Sequence, residues 1–140
     1  MYGGYYFEDL EVGMSVQYGR TVTESDIGAF AGVSGDFNPV HTNEEFASGT
    51  RFKGRIAHGM LMGAFISTAV GTRLPGEGSI YVSQNLHFRG PVRSGDTVTV
   101  QVAVTDLNPE RRFVTLETRA LVGGRAVVQG EAVMLVPARP

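Results

Sequence analysis

A carboxylate and an imidazole lie five positions apart in residues 34–41, SGDFNPVH. Between Asp36 and His41 stands the pair Asn38-Pro39, which favours a stiff turn. If the two side chains converge, they can orient one water molecule and accept its proton, which is general acid–base chemistry. The alternative is a plain polar loop, in which Asp36 binds backbone amides and His41 lies on the surface. The spacing alone leaves both interpretations open.

A second segment, residues 55–60 (RIAHGM), brings a His-Gly pair to the start of a predicted helix. Unpaired amides at a helix start favour a developing anion, and Gly59 would let a ligand approach the backbone closely. His58 by itself is typical of a structural residue that hydrogen-bonds the loop. His87 falls on the polar side of an alternating strand, so we expect it to be solvated.

Proton-handling groups near an anion-stabilising helix end suit the addition of water to a double bond conjugated with a carbonyl. Small residues also recur every fourth position along this helix, at Gly59, Gly63, Ser67 and Gly71. Such a stripe lies on one face of a helix. It indicates either close packing of the helix against a sheet or a slot for an extended apolar chain or a partner's backbone.

The elements that would position these groups follow from the periodicity. Residues 14–22 alternate like a first strand, and Thr23 begins a capping box that opens a helix ending near Gly35. A second capping pattern at residues 42–45 predicts a short helix through Ala47. Residues 49–55 are typical of a loop.

The segment of residues 58–74 is apolar around its whole circumference, which predicts a buried helix. Four strands of period two follow, and their spacing predicts consecutive antiparallel neighbours: residues 80–89, 97–107, 113–122 and 126–136. One helix and a long antiparallel sheet make an α+β fold with the sheet wrapped around the helix. A single sheet covers only part of such a helix, so we expect N-terminal segments and a second subunit to cover the rest.

Length and composition limit the function classes. The 140 residues, with 42% hydrophobic and 19% charged residues, fit one domain over residues 1–140. A formal net charge of −2 without a basic run predicts no nucleic-acid partner. The chain has no cysteine, and it lacks phosphate-loop, zinc-protease and nucleophile-elbow motifs. Neither a signal peptide nor a membrane span is predicted, so we expect a cytoplasmic protein without membrane contact.

Together these motifs resemble the MaoC-like hydratases, in particular the (R)-specific enoyl-CoA hydratases of the hot-dog fold. The resemblance covers nearly the whole chain, and its most specific part is the block from Asp36 through Asn38-Pro39 to His41, followed by HGML at residues 58–61. It implies a sheet wrapped around a central helix, at least a homodimer, and no metal or redox cofactor. It also implies a lyase of fatty acid metabolism that reversibly hydrates trans-2-enoyl-CoA to (R)-3-hydroxyacyl-CoA by syn addition.

The resemblance also implies roles for individual residues. Asp36 would be the principal base for water, while His41 would position that water and share the proton transfer. The backbone N–H of Gly59 would be the oxyanion donor. Three further residues are carried over as substrate-binding: Asn38, which would brace the loop, and Ser67 and Val70, which would line the acyl path.

Two other functions stay open. A hot-dog acyl-CoA thioesterase would release free thiol, whereas a hydratase leaves the thioester intact. A non-catalytic acyl-binding subunit of a paired dehydratase would bind acyl-CoA without turnover. The sequence also leaves open the acyl chain length and branching, the carrier (CoA or acyl-carrier protein), the pathway, assembly beyond a dimer, and the proton partition between Asp36 and His41.

Overall fold

The computed structural model describes residues 3–140. Among these residues one strand is followed by four helices and then by five strands, all antiparallel, so the predicted α+β class is confirmed. After a short 3-10 turn at Phe7–Asp9 the elements are, in chain order, β1 (Ser15–Thr21), α1 (Glu24–Ser34), α2 (Pro39–Thr42), α3 (Glu44–Ser48), α4 (Gly59–Thr72), β2 (Ile80–Gln84), β3 (His87–Phe88), β4 (Thr97–Asn108), β5 (Phe113–Val122) and β6 (Arg125–Leu135).

The strands form one antiparallel sheet in the order β1-β4-β5-β6-β2, and the short β3 also pairs with β6. The neighbours β4, β5 and β6 follow one another as predicted. The prediction that the strand of residues 80–89 would pair with the next strand is wrong. Because β1 already pairs with residues 97–103 of β4, this strand lies instead against β6. It is also interrupted between Gln84 and His87, which makes two strands of it.

The hydrophobic core lies between the inner face of the sheet and α4. Alternate residues of the central strands point inward and are fully buried, as the period-two pattern requires. The side chains of Leu61, Met62, Phe65 and Ile66 meet them from α4. From the three central strands the buried residues include Val98, Val100, Val102, Val104, Val114, Leu116, Ala120, Val127, Val128, Ala132 and Met134.

Within one chain, helix α4 is buried on one side only, which agrees with the expectation that a single sheet covers just part of it. Met60 is 56% exposed, and Ala64 and Ser67 are exposed as well. The sheet covers only one side of the helix, so the other side stays open to solvent. Within residues 3–140, no helix is long and apolar enough to cross a bilayer.

The three short helices before α4 carry or flank the site loop. The predicted capping box of α1 is confirmed, because Thr23 Oγ1 accepts the N–H of Asp26 and the Asp26 carboxylate accepts the N–H of Thr23. The second capping prediction is one residue out. Asn43, and not Thr42, caps α3, since its Oδ1 accepts the N–H of Phe46 at 3.1 Å. Thr42 is instead the last residue of the short helix α2.

Candidate active site

The loop between α1 and α2 presents Asp36 to solvent. Helix α1 ends at Gly35, whose left-handed conformation (φ 79°) reverses the chain. Asp36 follows directly and is exposed. Its Oδ1 accepts the N–H of Asn38 at 3.1 Å, and its own N–H donates to Ser34 Oγ at 3.1 Å. The carboxylate is therefore anchored on one oxygen, with the other oxygen accessible.

His41 lies on α2, held by the turn that Asn38 and Pro39 begin. The Asn38 Oδ1 accepts the N–H of Val40 at 3.2 Å and caps this short helix. The His41 ring is 9% exposed, and its Nδ1 lies 2.8 Å from the carbonyl oxygen of Ile56. A carbonyl only accepts, so Nδ1 carries the proton and donates it. In the neutral ring Nε2 then keeps a lone pair for a water molecule.

The carboxylate and two imidazoles converge. Donor or acceptor atoms of Asp36, His41 and His58 all lie within 4.8 Å of one another. Two hydrogen bonds of about 2.8 Å to a shared water can span such a gap. Among residues 3–140 this is the one cluster of acidic and imidazole groups with metal-like spacing. The rings of His41 and His58 are stacked, however, so their in-plane lone pairs do not meet at a common point, and we assign no metal site.

The N-terminus of α4 lies beside this cluster. Helix α4 begins at Gly59, and His58 at its N-cap makes no side-chain cap hydrogen bond. The N–H of Leu61 donates to the carbonyl of His58 at 3.1 Å, whereas the N–H groups of Gly59 and Met60 have no acceptor among residues 3–140, and the helix dipole favours an anion there. A Cβ on Gly59 would lie 2.7 Å from the ring of Phe88. Only glycine fits at this position unless that ring moves.

A cavity of about 420 Å³ opens from this helix end. His41, His58 and Gly59 line it together with the side chains of Phe52 and Phe88. The exposed Arg51 and Arg89 also belong to its lining, while Asp36 does not. The cavity can thus take an apolar group next to the helix N-terminus, with cationic side chains along the same wall.

The three predicted substrate-binding residues lie in different environments. Asn38 caps α2, as described above. Ser67 is exposed on the open side of α4 next to Tyr81, whose hydroxyl donates to Gln84 Oε1 at 2.8 Å. Burial raises the pKa of Tyr81 to about 12, so this hydroxyl stays protonated at neutral pH. Val70 is fully buried in the core.

The small-residue stripe divides into two halves. A Cβ on Gly63 would lie 3.1 Å from Leu86, and Gly59 faces Phe88, so the first half packs closely against side chains at the β2–β3 edge. The second half is open, because Ser67 is exposed and a Cβ on Gly71 would meet nothing within 4 Å among residues 3–140. Close packing therefore accounts for half of the stripe only.

Two arginines that support the site were not predicted in this role. Arg55 donates to the carbonyl of His41 at 3.3 Å and pairs with the carboxylates of Glu24 and Glu44. Arg93 donates to the carbonyls of Arg55 and Phe52. Arg55 thus fastens its segment to α1, α2 and α3, and Arg93 fastens residues 52–55 to the loop before β4. No sequence signal distinguishes these arginines from solvated charges, because all of their partners are distant in the chain.

Known protein structures share the α+β architecture described above. The fold is the predicted hot-dog fold, shared with the unliganded R-hydratase PhaJ1 of Pseudomonas aeruginosa (TM-score 0.91, 44% identity, 97% of this chain and 88% of that one). It is also shared with the (R)-hydratase from A. caviae involved in PHA biosynthesis (TM-score 0.89, 43% identity, 93% and 99%).

Sequence comparison gives the same family. Residues 9–124 match the MaoC like domain, and the chain belongs to that family. It is 56% identical over 135 residues to an (R)-specific enoyl-CoA hydratase of Rhodospirillum rubrum, covering 96% of this chain and 94% of the relative. It is 49% identical over 132 residues to a 3-hydroxybutyryl-CoA dehydratase of Methylorubrum extorquens, covering 94% and 84%. The predicted family resemblance is confirmed.

Proposed function

We propose that this protein catalyses the reversible syn hydration of trans-2-enoyl-CoA to (R)-3-hydroxyacyl-CoA. The observation that carries the proposal is the convergence of Asp36 and His41 beside the N-terminus of α4, where His41 lines a cavity with apolar side chains. Hydratases and a dehydratase among the relatives, at 43% to 56% identity over most of the chain, support the same reaction.

In the proposed mechanism, one water molecule is held between the Asp36 carboxylate and Nε2 of His41. Asp36 removes a proton as the water oxygen forms a bond to C3 of the substrate, and His41 orients the water and shares the transfer. The π electrons move to the thioester oxygen, which becomes an enolate stabilised by the N–H of Gly59. C2 then takes a proton back from the Asp36–His41 pair, which had removed one from the water, on the face that received the hydroxyl, so that the pair returns to its starting state. Water has been added across the double bond, and the reverse sequence dehydrates.

The remaining assignments are proposals with different structural support. Asn38 braces the loop, because its side chain caps the helix that carries His41. Ser67 is exposed on α4 and can contact an acyl chain. Val70 has no exposed surface, so any effect on acyl specificity acts through packing. The carrier is proposed to be CoA, with acyl-carrier protein as the alternative.

We also propose a homodimer or a higher homo-oligomer. Within the part of the chain that the structure describes, strand β2 pairs with β6 along one edge only, and Ile80 and Val82 are exposed on it. An apolar edge strand is a template for pairing with another chain, and the open side of α4 adds Met60 to the same unpartnered surface. Light scattering after size-exclusion chromatography tests this. A dimer that Val82→Lys converts to monomer supports the proposal, and a monomeric native protein refutes it.

Two predictions from the sequence stand as further proposals: that residues 1–140 act as one domain, and that the protein works in the cytoplasm. The first is consistent with a single core cluster that includes residues from Leu10 to Val136. Limited proteolysis tests it, because a second unit would survive as a separate stable fragment. Cell fractionation tests the second.

The decisive experiment follows the enoyl-thioester absorbance of crotonyl-CoA, with a thiol reagent in a parallel sample. Loss of absorbance without thiol release, giving an (R)-3-hydroxy product on chiral chromatography, supports the hydratase. Asp36→Asn should abolish turnover, whereas Asp106→Asn, at an exposed carboxylate on β4, should not. Free thiol would instead identify a thioesterase. Tight binding without turnover of any enoyl-CoA tried would identify a binding subunit.

A further inference from the structure

His58 is the most deeply buried ionisable side chain near the candidate site. It is 2% exposed, and it lies between two rings. The imidazole of His41 stacks on it with centroids 3.9 Å apart and planes 29° apart, and the ring of Phe30 tilts against it at 4.9 Å. The predicted structural role is confirmed, since His58 binds the loop. His58 also stacks on His41 and precedes Gly59, and a role limited to binding the loop requires neither contact.

The first contact joins His58 to the backbone of the proposed base. Nε2 of His58 lies 2.9 Å from the carbonyl oxygen of Asp36. Because that oxygen can only accept, Nε2 carries the proton and donates it. The bond therefore sets the peptide plane from which the Asp36 side chain leaves the loop.

The second contact joins His58 to the proposed catalytic imidazole. To the residues that the structure describes, the ring of His41 makes one hydrogen bond, from Nδ1 to the carbonyl of Ile56. One hydrogen bond leaves a ring free to tilt about the bond direction. The stacked face of His58 removes that freedom, so Nε2 of His41 points in one direction.

The third link is covalent, since His58 precedes Gly59 and forms the N-cap of α4. His58 thus binds the backbone of Asp36, stacks on the ring of His41 and is covalently bonded to Gly59. Its other nitrogen, Nδ1, is buried without a hydrogen-bond partner among residues 3–140. Leaving a buried polar atom unpaired is unfavourable, so packing by itself would favour an apolar side chain here.

We propose that His58 is a positioning residue that aligns Asp36 and His41 through the Nε2 hydrogen bond and the ring stack. This inference rests on the proposed hydration reaction. His58 does not touch the reacting atoms, and its effect is to hold two groups that must act on one water molecule. Misplacement of catalytic groups by about 1 Å can lower a rate by about 100-fold.

The test compares His58→Leu with His58→Gln. Leucine fills similar space without a donor, whereas the glutamine amide can return an N–H near the place of Nε2. We expect His58→Leu to lower kcat for crotonyl-CoA by about 10- to 100-fold with KM changed less than about threefold, and His58→Gln to recover part of the loss. His87→Leu, at an exposed histidine, is the matched control and should leave kcat unchanged.

A double-mutant cycle separates positioning from general destabilisation. If His58 acts through His41, then His58→Leu should cost much less in a His41→Gln background than in the native protein, because the group to be aligned is already gone. Equal losses in both backgrounds would overturn the proposal. Thermal unfolding of each variant checks that the comparison is made on folded protein.

A third readout does not need turnover. Nitrogen-15 spectra of the histidine rings should show His41 protonated at Nδ1 and His58 at Nε2 in the native protein. In His58→Leu the His41 signals should shift towards an average of the two tautomers. Unchanged His41 signals would refute the positioning role even if the proposed reaction were confirmed. Altered signals in a protein inactive on enoyl thioesters would instead refute only the proposed reaction.

Discussion

Residues 34–58 and the strands β4–β6 meet at α4, yet different interactions hold them in place. In the strands, inward side chains such as Val100 and Leu116 are fully buried and interact by apolar contact. In the site segment, Asp36 is exposed, and the important contacts are hydrogen bonds from His41, Arg55 and other side chains to backbone carbonyls.

This difference predicts how each region responds to amino-acid substitution. Apolar burial is non-directional, so its loss weakens the whole fold in proportion to the area uncovered. Hydrogen bonds to carbonyls are directional, so their loss reorients a few groups. We therefore expect core substitutions to affect mainly stability, and site substitutions to affect mainly activity.

The largest effect on stability is expected for Leu116→Ala in β5. Leu116 is fully buried in the core, and truncation of such a leucine destabilises a protein by about 2–5 kcal/mol. Urea unfolding measures the change, and kcat of the folded fraction should stay within about twofold of the native value. Val33→Ala, at a side chain 86% exposed, is the control and should change stability by less than about 0.5 kcal/mol. A large fall in kcat for Leu116→Ala would contradict the expectation that core substitutions affect mainly stability.

The paired substitutions Gly59→Ala and Gly71→Ala test the two ends of α4. The new Cβ at position 59 would meet Phe88 at 2.7 Å, whereas nothing lies within 4 Å at position 71. We expect Gly59→Ala to lower kcat by about tenfold, because the oxyanion donor must move. Gly71→Ala should keep kcat and raise stability by about 0.5–1 kcal/mol through the better helix propensity of alanine.

Steady-state kinetics and thermal unfolding on the same preparations measure both effects. The double variant Gly59→Ala with Phe88→Leu removes the clashing ring and should recover activity. If Gly59→Ala were as active as the native protein, the Phe88 ring rather than the N–H of residue 59 would have moved, and the expected displacement of the donor would be wrong.

A smaller effect is expected at the start of α1, which lies outside both regions. Thr23→Ala removes the hydroxyl that accepts the N–H of Asp26 at 3.0 Å, and loss of such a cap costs about 1 kcal/mol. Denaturant unfolding measures it, with kcat unchanged. Thr23→Ser keeps the hydroxyl and serves as the control. Equal stability of the two variants would mean that the cap contributes nothing.

The smallest effect concerns the pH dependence of stability at the same cap. Burial alone would raise the pKa of Asp26, but hydrogen bonds from Thr23 and Arg20 outweigh it and hold that pKa below its usual value of 3.8. A lowered folded-state pKa gives stability that is present above pH 3.8 and is lost as pH falls towards the folded-state pKa. Unfolding of the native protein and of Asp26→Asn at pH 7 and pH 3 checks this. The difference in stability between the two proteins should shrink at pH 3, and a constant difference would contradict the assignment.

Local patterns predicted most of the elements. The strand at residues 113–122 coincides with β5, and the capping box at Thr23 marks the start of α1. The position of β2 at the far side of β6 could not be predicted, because antiparallel partners depend on which sheet edges remain free. The sequence predicts that part of α4 lacks cover from the sheet, but it does not predict which residues, because a pattern that is apolar all round does not distinguish the faces of the helix.

By itself, the sequence determined the family, the helix and strand pattern, and the residue types that the proposed chemistry needs at Asp36, His41 and Gly59. Only the tertiary structure decided how they are held: the hydrogen bond from His58 to the carbonyl of Asp36 joins residues 22 positions apart, and the one from His41 to Ile56 joins residues 15 apart. Periodicity reports on neighbours within one turn or one strand. Contacts between distant backbone carbonyls and side chains leave no such pattern, because a carbonyl acceptor is the same at every residue.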